Sequence, residues 1–331
     1  MHSDALSLAK QALSPVADEL EILLQKIPHL LPCETKTAQK MVQTLFSHPG
    51  KMIRPALFFL SCRLVNYEGD HFYPMGAVSE FVHTASLLHD DVVDSSTLRR
   101  NRPTTNSIWG DEAAVLLGDL IYARASELMA ETNEMEIVSS FARSIRLMSE
   151  SELLQLDSVF NLDLQEGNYL RILHGKTAAL IGSACKSAGI LAQRSRNEIS
   201  SLETFGFNLG ISFQLVDDAL DFLGDGKLLG KKHFIDLQEG RVTLPILYLQ
   251  SFISDEERKS LRQLYYEGNL LQSDIEYVAS LVQKYETAEM TIERAQKLTD
   301  ISLKALRDNF PASESRHHIE KLAEFLSLRT F

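Results

Sequence analysis

An all-α fold, a bundle of roughly a dozen helices around a central cavity, is what this sequence predicts. Three observations predict it. Apolar residues recur with helical period through nearly every segment, and runs that read as strands bounded by turn signals are scarce. Only 16 Gly and 9 Pro occur in 331 residues, which leaves room for long uninterrupted elements.

Taken in order, the period places helices at 5–26 and 35–46, and His48-Pro49-Gly50 breaks the chain after the second. The helix at 55–67 starts on Pro55, whose missing N–H is harmless in a first turn, and the polar stretch 66–70 closes it. A long apolar helix at 73–94 runs into the loop Asn101-Arg102-Pro103. Helices at 111–132, 134–160, 164–176, 178–191 and 197–225 follow, then a glycine-flanked loop at 224–240. The remainder reads as 245–251, 254–267, 273–298, 301–309 and 312–329. With no Pro/Gly/Ser linker and no low-complexity stretch, 1–331 reads as a single domain.

Composition excludes several function classes. A net charge of -12 leaves no basic stripe for general nucleic-acid binding, so any phosphate-bearing ligand needs a local cluster of cations. Cys33, Cys62 and Cys185 are isolated and odd in number, which speaks for a reducing compartment and against a zinc site. MHSDALSLAK lacks a basic start before an apolar block, and no apolar run reaches about 18 residues. The expectation is a cytoplasmic protein that neither is secreted nor spans a membrane.

One acidic pattern occurs twice. Asp90-Asp91-Val92-Val93-Asp94 and Asp217-Asp218-Ala219-Leu220-Asp221 lie 127 positions apart, each inside an apolar run. On a helix the first and last Asp, at i and i+4, share a face, and the middle one sits about 100° round. Like charges so close, among apolar neighbours, repel and lose hydration unless a cation neutralises them. A solvated acidic face would instead carry polar residues at i±3 and i±4. Oxygen ligands without His or Cys at ligand spacing favour Mg²⁺, or Mn²⁺, over zinc.

Basic residues gather beside these motifs. Lys51 and Arg54 stand at the start of an apolar helix, where free N–H groups and the helix dipole already favour an anion. Arg99 and Arg100 follow Asp94 closely and can fork onto phosphate oxygens as lysine cannot. Lys176-Thr177 and Lys231 add donors, although each taken alone reads as readily as a surface charge.

The strings GKMIRP, EFVHTASLLHDDVVDSSTLRR, LLGDLIYARA, ELLQL, KTAALIG, FQLVDDALDF and DLQEGRVTLPIL resemble the ordered motif set of the trans-isoprenyl diphosphate synthases, in particular the long-chain polyprenyl members such as the octaprenyl synthases. The resemblance is specific from Gly50 to Leu247 and weaker beyond. Three departures are visible: Ser151 in place of a Gly before the Glu, Asn101 in place of a Gly after the arginines, and His233-Phe234-Ile235 in place of small and polar residues before Asp236.

The resemblance implies a Mg²⁺-dependent, head-to-tail condensation of isopentenyl diphosphate with an allylic diphosphate, for a quinone side chain, by a homodimer. It implies three ions, held by Asp90, Asp91 and Asp94 and by Asp217, Asp218 and Asp221, on the allylic diphosphate. Arg99, Lys176, Thr177, Gln214 and Lys231 would complete that grip. Lys51, Arg54, His83 and Arg100 would hold isopentenyl diphosphate in a metal-free basic pocket. Charge developing on the departing diphosphate is then stabilised while the isopentenyl double bond attacks, and no protein nucleophile is required. Product leaving such a site is very apolar, which implies transient membrane contact at release.

Other readings stay open: a medium-chain farnesyl- or geranylgeranyl-type synthase, a terpene cyclase, or a non-catalytic partner subunit. The Asp-rich second motif speaks against a cyclase, and retention of all six Asp against a dead subunit. Ser86 and Ala85, four and five positions before Asp90, are expected one turn below the diphosphate site, where a growing tail would descend. Both are small, whereas large aromatics there close the tunnel in short-chain relatives. Phe81, about two turns down, is a second expected constraint, with Ile121, Leu147 or Leu154 as alternatives for the floor. The resulting expectation is a product of roughly six to ten isoprene units, about 30 to 50 carbons.

Overall fold

Helices carry almost every described segment of the computed structural model, which covers residues 11–48, 50–99, 102–223 and 234–327. A 3-10 turn at Ser14–Val16 leads into α1 (Ala17–Leu30) and α2 (Lys36–Phe46), the latter capped by Thr35, whose hydroxyl accepts the Ala38 N–H at 3.2 Å. Then come α3 (Ile53–Val65) and α4 (Phe72–Val93). A two-stranded antiparallel hairpin pairs Leu98–Arg99 with Arg102–Pro103 and feeds α5 (Thr105–Trp109), α6 (Asp111–Glu131) and α7 (Met135–Leu156). Next are α8 (Glu166–Leu173), a π-turn at His174–Ala178, α9 (Ala179–Leu191) and α10 (Arg196–Leu223). The last elements are α11 (Ile235–Gln238), α12 (Leu244–Leu249), α13 (Asp255–Glu267), α14 (Gln272–Lys284), α15 (Thr287–Asn309) and α16 (Glu314–Ser327).

The all-α expectation holds, with four corrections of detail. Pro15 sits in the 3-10 turn that interrupts the first expected helix, while α1 runs past Pro28, since a proline in a last turn removes only one ladder bond. The expected gap between 176 and 178 is no gap: the chain stays helical and widens into the π-turn, a form frequent at functional positions. The break expected near 299–300 lies at Glu286, which adopts φ 52° without a glycine to mark it. Thr299 instead stays inside α15, its hydroxyl buried against Ser212. Finally α5 and α11 are single turns inside stretches expected to be loop.

Two apolar clusters fill the interior. The larger is built around α3, α4, α9 and the first half of α10, with Phe58, Phe59, Phe81 and Phe205 fully buried. The second gathers Leu215, Val216 and Ala219 of α10 with residues of α8 and α12 to α15. α10 thus belongs to both clusters and is the spine on which the second Asp motif is mounted. Its approach to its neighbours depends on missing side chains. A Cβ at Gly206 would lie 2.8 Å from the Ile181 carbonyl oxygen, and one at Gly210 would lie 2.6 Å from the Ala178 Cα. Gly210 therefore lets α10 sit directly on the π-turn, one helical turn before Gln214. Among the described residues no helix is long and apolar enough to cross a membrane.

Candidate active site

The first Asp motif ends α4. Asp94 is its C-cap, and its backbone N–H bonds the Asp90 carbonyl at 2.8 Å, so the motif folds as the last helical turn. Asp90 is partly buried, and burial, Glu152 and Asp94 push its carboxyl up to about 6 against the opposing pull of Lys176 and Arg99. Asp91 points elsewhere. It is 5% exposed, and Arg99 forks onto its Oδ1 through Nε and Nη2, both at 2.9 Å, while Asn106 donates to its carbonyl at 3.2 Å. Burial still raises its pKa, Arg99 offsetting part of the effect.

The second motif ends the described span of α10. Asp218 is 5% exposed, with both oxygens engaged: Tyr169 donates its hydroxyl to Oδ2 at 2.6 Å and Gln214 its amide to Oδ1 at 3.0 Å. Burial and the nearby Asp236 push Asp218 up to about 7. Gln214 in turn accepts the Thr177 hydroxyl at 3.0 Å, a contact made possible by the close seat of α10 on the π-turn. Asp217 and Asp221 are half-buried on the same face, and Asp221 accepts the backbone N–H groups of Ile235 and Asp236 at 3.2 and 3.1 Å.

The two motifs face one set of charges. Lys176 pairs with Glu152 at 2.9 Å, bonds Gln155 at 3.3 Å, and acts on both Asp90 and Glu239. Arg241 pairs with Glu239 at 2.6 Å and Asp236 at 3.3 Å and also feels Asp94. Burial alone would lower Arg241, but these three carboxylates outweigh it and raise it. Asp90 and Asp94 are thereby joined electrostatically to Asp236 and Glu239, the first of which bonds Asp221 of the second motif through its backbone N–H.

Of the residues expected on the isopentenyl side, His83 lines a cavity that Asp91 and Arg99 also border. That cavity, of about 730 Å³, lies between α2, α4, the hairpin and α5, and Gly50 is also among its lining residues. Lys51 is exposed and Arg54 half-buried in the first turn of α3, directly after Gly50. Arg100, Asn101, Lys231 and His233 lie outside the described residues. A second, smaller cavity of about 60 Å³ is lined by Lys176, Gln214, Asp218, Asp236, Arg241 and Tyr169 among others.

The residues expected in the chain-length wall differ in burial. Ser86 is half-buried on the face of Asp90, one turn before it. Ala85 and Phe81 are fully buried in the larger core, Phe81 edge-on to Phe46 with ring centroids 5.8 Å apart. The departure at Ser151 is absorbed locally: its hydroxyl bonds the Met148 carbonyl at 2.8 Å, and Gly175 opposite has no side chain to collide with it.

Glu152, Gln155, Asp236, Glu239, Arg241 and Tyr169 were given no role by the sequence. A signal existed for the first two, since Glu-Leu-Leu-Gln puts both on one helical face at i and i+3. Among the described residues no three His, Cys, Asp or Glu side chains converge into a cage for an ion. An all-carboxylate donor set with crowded, elevated acids fits a hard divalent cation that takes its remaining ligands from water and a phosphate.

Residues 35–282 match the family described as polyprenyl synthetase. The chain is 38% identical over 263 residues to the octaprenyl diphosphate synthase of Escherichia coli K12, covering 80% of this chain and 81% of that one. Its fold is similar to the crystal structure of a decaprenyl diphosphate synthase from Rhodobacter capsulatus, with a TM-score of 0.91, 33% identity and coverage of 98% and 99% of the two chains. A polyprenyl synthase from Caulobacter crescentus CB15, crystallised with calcium and isoprenyl diphosphate, is similar at a TM-score of 0.89 and 33% identity, covering 97% and 98%.

Proposed function

This chain belongs to the polyprenyl synthetase family, and we propose that it is a Mg²⁺-dependent long-chain trans-polyprenyl diphosphate synthase. It condenses isopentenyl diphosphate with an allylic diphosphate head to tail, giving a product of about 30 to 50 carbons for a quinone side chain. The reading is carried by one observation: two Asp motifs 127 positions apart in sequence meet at one set of charges, in which Arg241 acts on Asp94 of the first and pairs at 3.3 Å with Asp236, whose backbone N–H bonds Asp221 of the second.

Asp90, Asp94, Asp217 and Asp221 would hold Mg²⁺, or Mn²⁺, which would supply neutralising charge for the departing diphosphate. Lys176, Arg99 and Lys231 hold the same group and oppose the charge it gains as the allylic C–O bond opens. Thr177 and Gln214, already bonded to each other at 3.0 Å, border the point where the new bond forms. Lys51, Arg54, His83 and Arg100 hold the isopentenyl diphosphate in the cation-lined space beside α4, which needs no metal. The proton released from the new chain is taken up by the freed diphosphate. Ser86 leaves the path below Asp90 open to a growing tail. The family's usual assembly supports a single-domain homodimer working in the cytoplasm, with membrane contact limited to release of an apolar product.

The test is product analysis. Incubation with Mg²⁺, excess isopentenyl diphosphate and a labelled allylic primer should give all-trans prenyl diphosphates in the stated range. A cyclised hydrocarbon, a short product only, or no turnover would reject the reading.

A further inference from the structure

Tyr169 has no role in the scheme above, yet its hydroxyl joins α8 to α10. It is 3% exposed, donates to Asp218 Oδ2 at 2.6 Å, and lines the smaller cavity together with Arg241 and Thr243. Thr243, the residue placed to cap α12, makes no cap bond, and its hydroxyl is buried without a partner. A carboxylate as buried as Asp218 is costly unless its lone pairs are met, and here Tyr169 meets one oxygen and Gln214 the other.

We propose that Tyr169 is a positioning residue for the diphosphate-ionising site: by tying Asp218 to α8 it sets the direction in which α10 presents Asp217 and Asp221. The inference rests on the proposed function. Asp218 acts as a strut, because it is buried with both oxygens held by side chains, whereas Asp217 and Asp221 are half-buried and Asp221 accepts backbone N–H groups. Fixing that middle residue fixes the rotation of the last turn of α10. Without the Tyr169 hydroxyl a buried carboxylate oxygen loses its partner, which is relieved by moving the last turn of α10 away from α8.

Calorimetric titration with Mg²⁺, in the presence of an unreactive allylic thiodiphosphate and without isopentenyl diphosphate, tests this on the full chain. Tyr169→Phe should weaken apparent Mg²⁺ affinity about 10- to 100-fold, the range expected when a group orienting a ligand is lost. In turnover, KM for the allylic primer should rise in step while KM for isopentenyl diphosphate stays within about two-fold. In an Asp218→Ala background Tyr169→Phe should add less than about two-fold, because both act along one path. Unchanged Mg²⁺ affinity, or additive losses, would overturn the inference. If Tyr169→Phe does not fold, Tyr169→His decides: its ring N–H can still donate to Asp218, and apparent Mg²⁺ affinity should stay within about three-fold of wild type. A folded Tyr169→His that loses about 10-fold or more would overturn the inference. Failure of the wild-type chain to elongate a primer would sink the proposed function itself, a result separable from any of these.

Discussion

Arg99 grips Asp91, not open space: its Nε and Nη2 both lie 2.9 Å from one carboxylate oxygen of the middle Asp of the first motif. Asp91 is 93% enclosed at its side chain and Arg99 only 60%, so the acid is the fixed partner and the arginine is the group it aims. Arg99→Ala and Asp91→Ala should therefore be non-additive in kcat/KM for the allylic primer, with a coupling of about 1 to 3 kcal/mol in a double-mutant cycle. Strictly additive losses would show that Asp91 acts on its own.

The elevated acids give a pH dependence with a definite sign. Burial, Glu152 and Asp94 hold Asp90 at about 6, and burial with Asp236 holds Asp218 at about 7, both above the ordinary 3.8. A carboxyl that binds its proton more tightly when folded contributes stability that is full below the unfolded pKa and is lost as pH rises through the folded one. Without divalent cation the melting temperature should fall between about pH 4 and pH 7 from these two groups, and Mg²⁺ with diphosphate should flatten the fall by favouring the ionised forms. Scanning calorimetry across that range checks it, and a cation-insensitive profile would count against a metal site at these residues.

Much of this was legible in the sequence because it is local. Helical period gave the class, and the i, i+4 spacing correctly put Asp90 with Asp94 and Asp217 with Asp221 on shared faces. What escaped was set by distance along the chain: Tyr169 is 49 residues from Asp218, and nothing near either one marks the pairing. The π-turn escaped for another reason. It lies where Gly210 of α10 meets Ala178, an interhelical contact with no local signature. Glu286 takes a positive φ with no glycine, so the last break was misplaced.

Ala85 shows a limit of counting turns. Five positions are about 500°, so Ala85 points roughly 140° away from Asp90, and the structure buries it completely. Ser86, four positions away, shares the Asp90 face. Ser86→Phe should shorten the product while leaving first-step condensation with a ten-carbon primer within about three-fold of wild type, since the diphosphate grip lies a turn above. Ala85→Phe should instead overpack the core, costing about 1 to 3 kcal/mol and lowering the melting temperature by roughly 2 to 4 °C per kcal/mol. Chromatography of extracted prenols and thermal melts separate the two outcomes. An unchanged product length in Ser86→Phe would place the floor on another helix.

The most direct measurement is turnover of Asp90→Ala and Asp217→Ala beside circular dichroism and melting of the same preparations. Each substitution removes a carboxylate from a crowded acidic cluster, so the fold should survive while turnover with Mg²⁺ falls by about three orders of magnitude or more, the loss of several kcal/mol of stabilisation at the ionisation step. Near-normal turnover in either folded variant would contradict the joint site built from the two motifs.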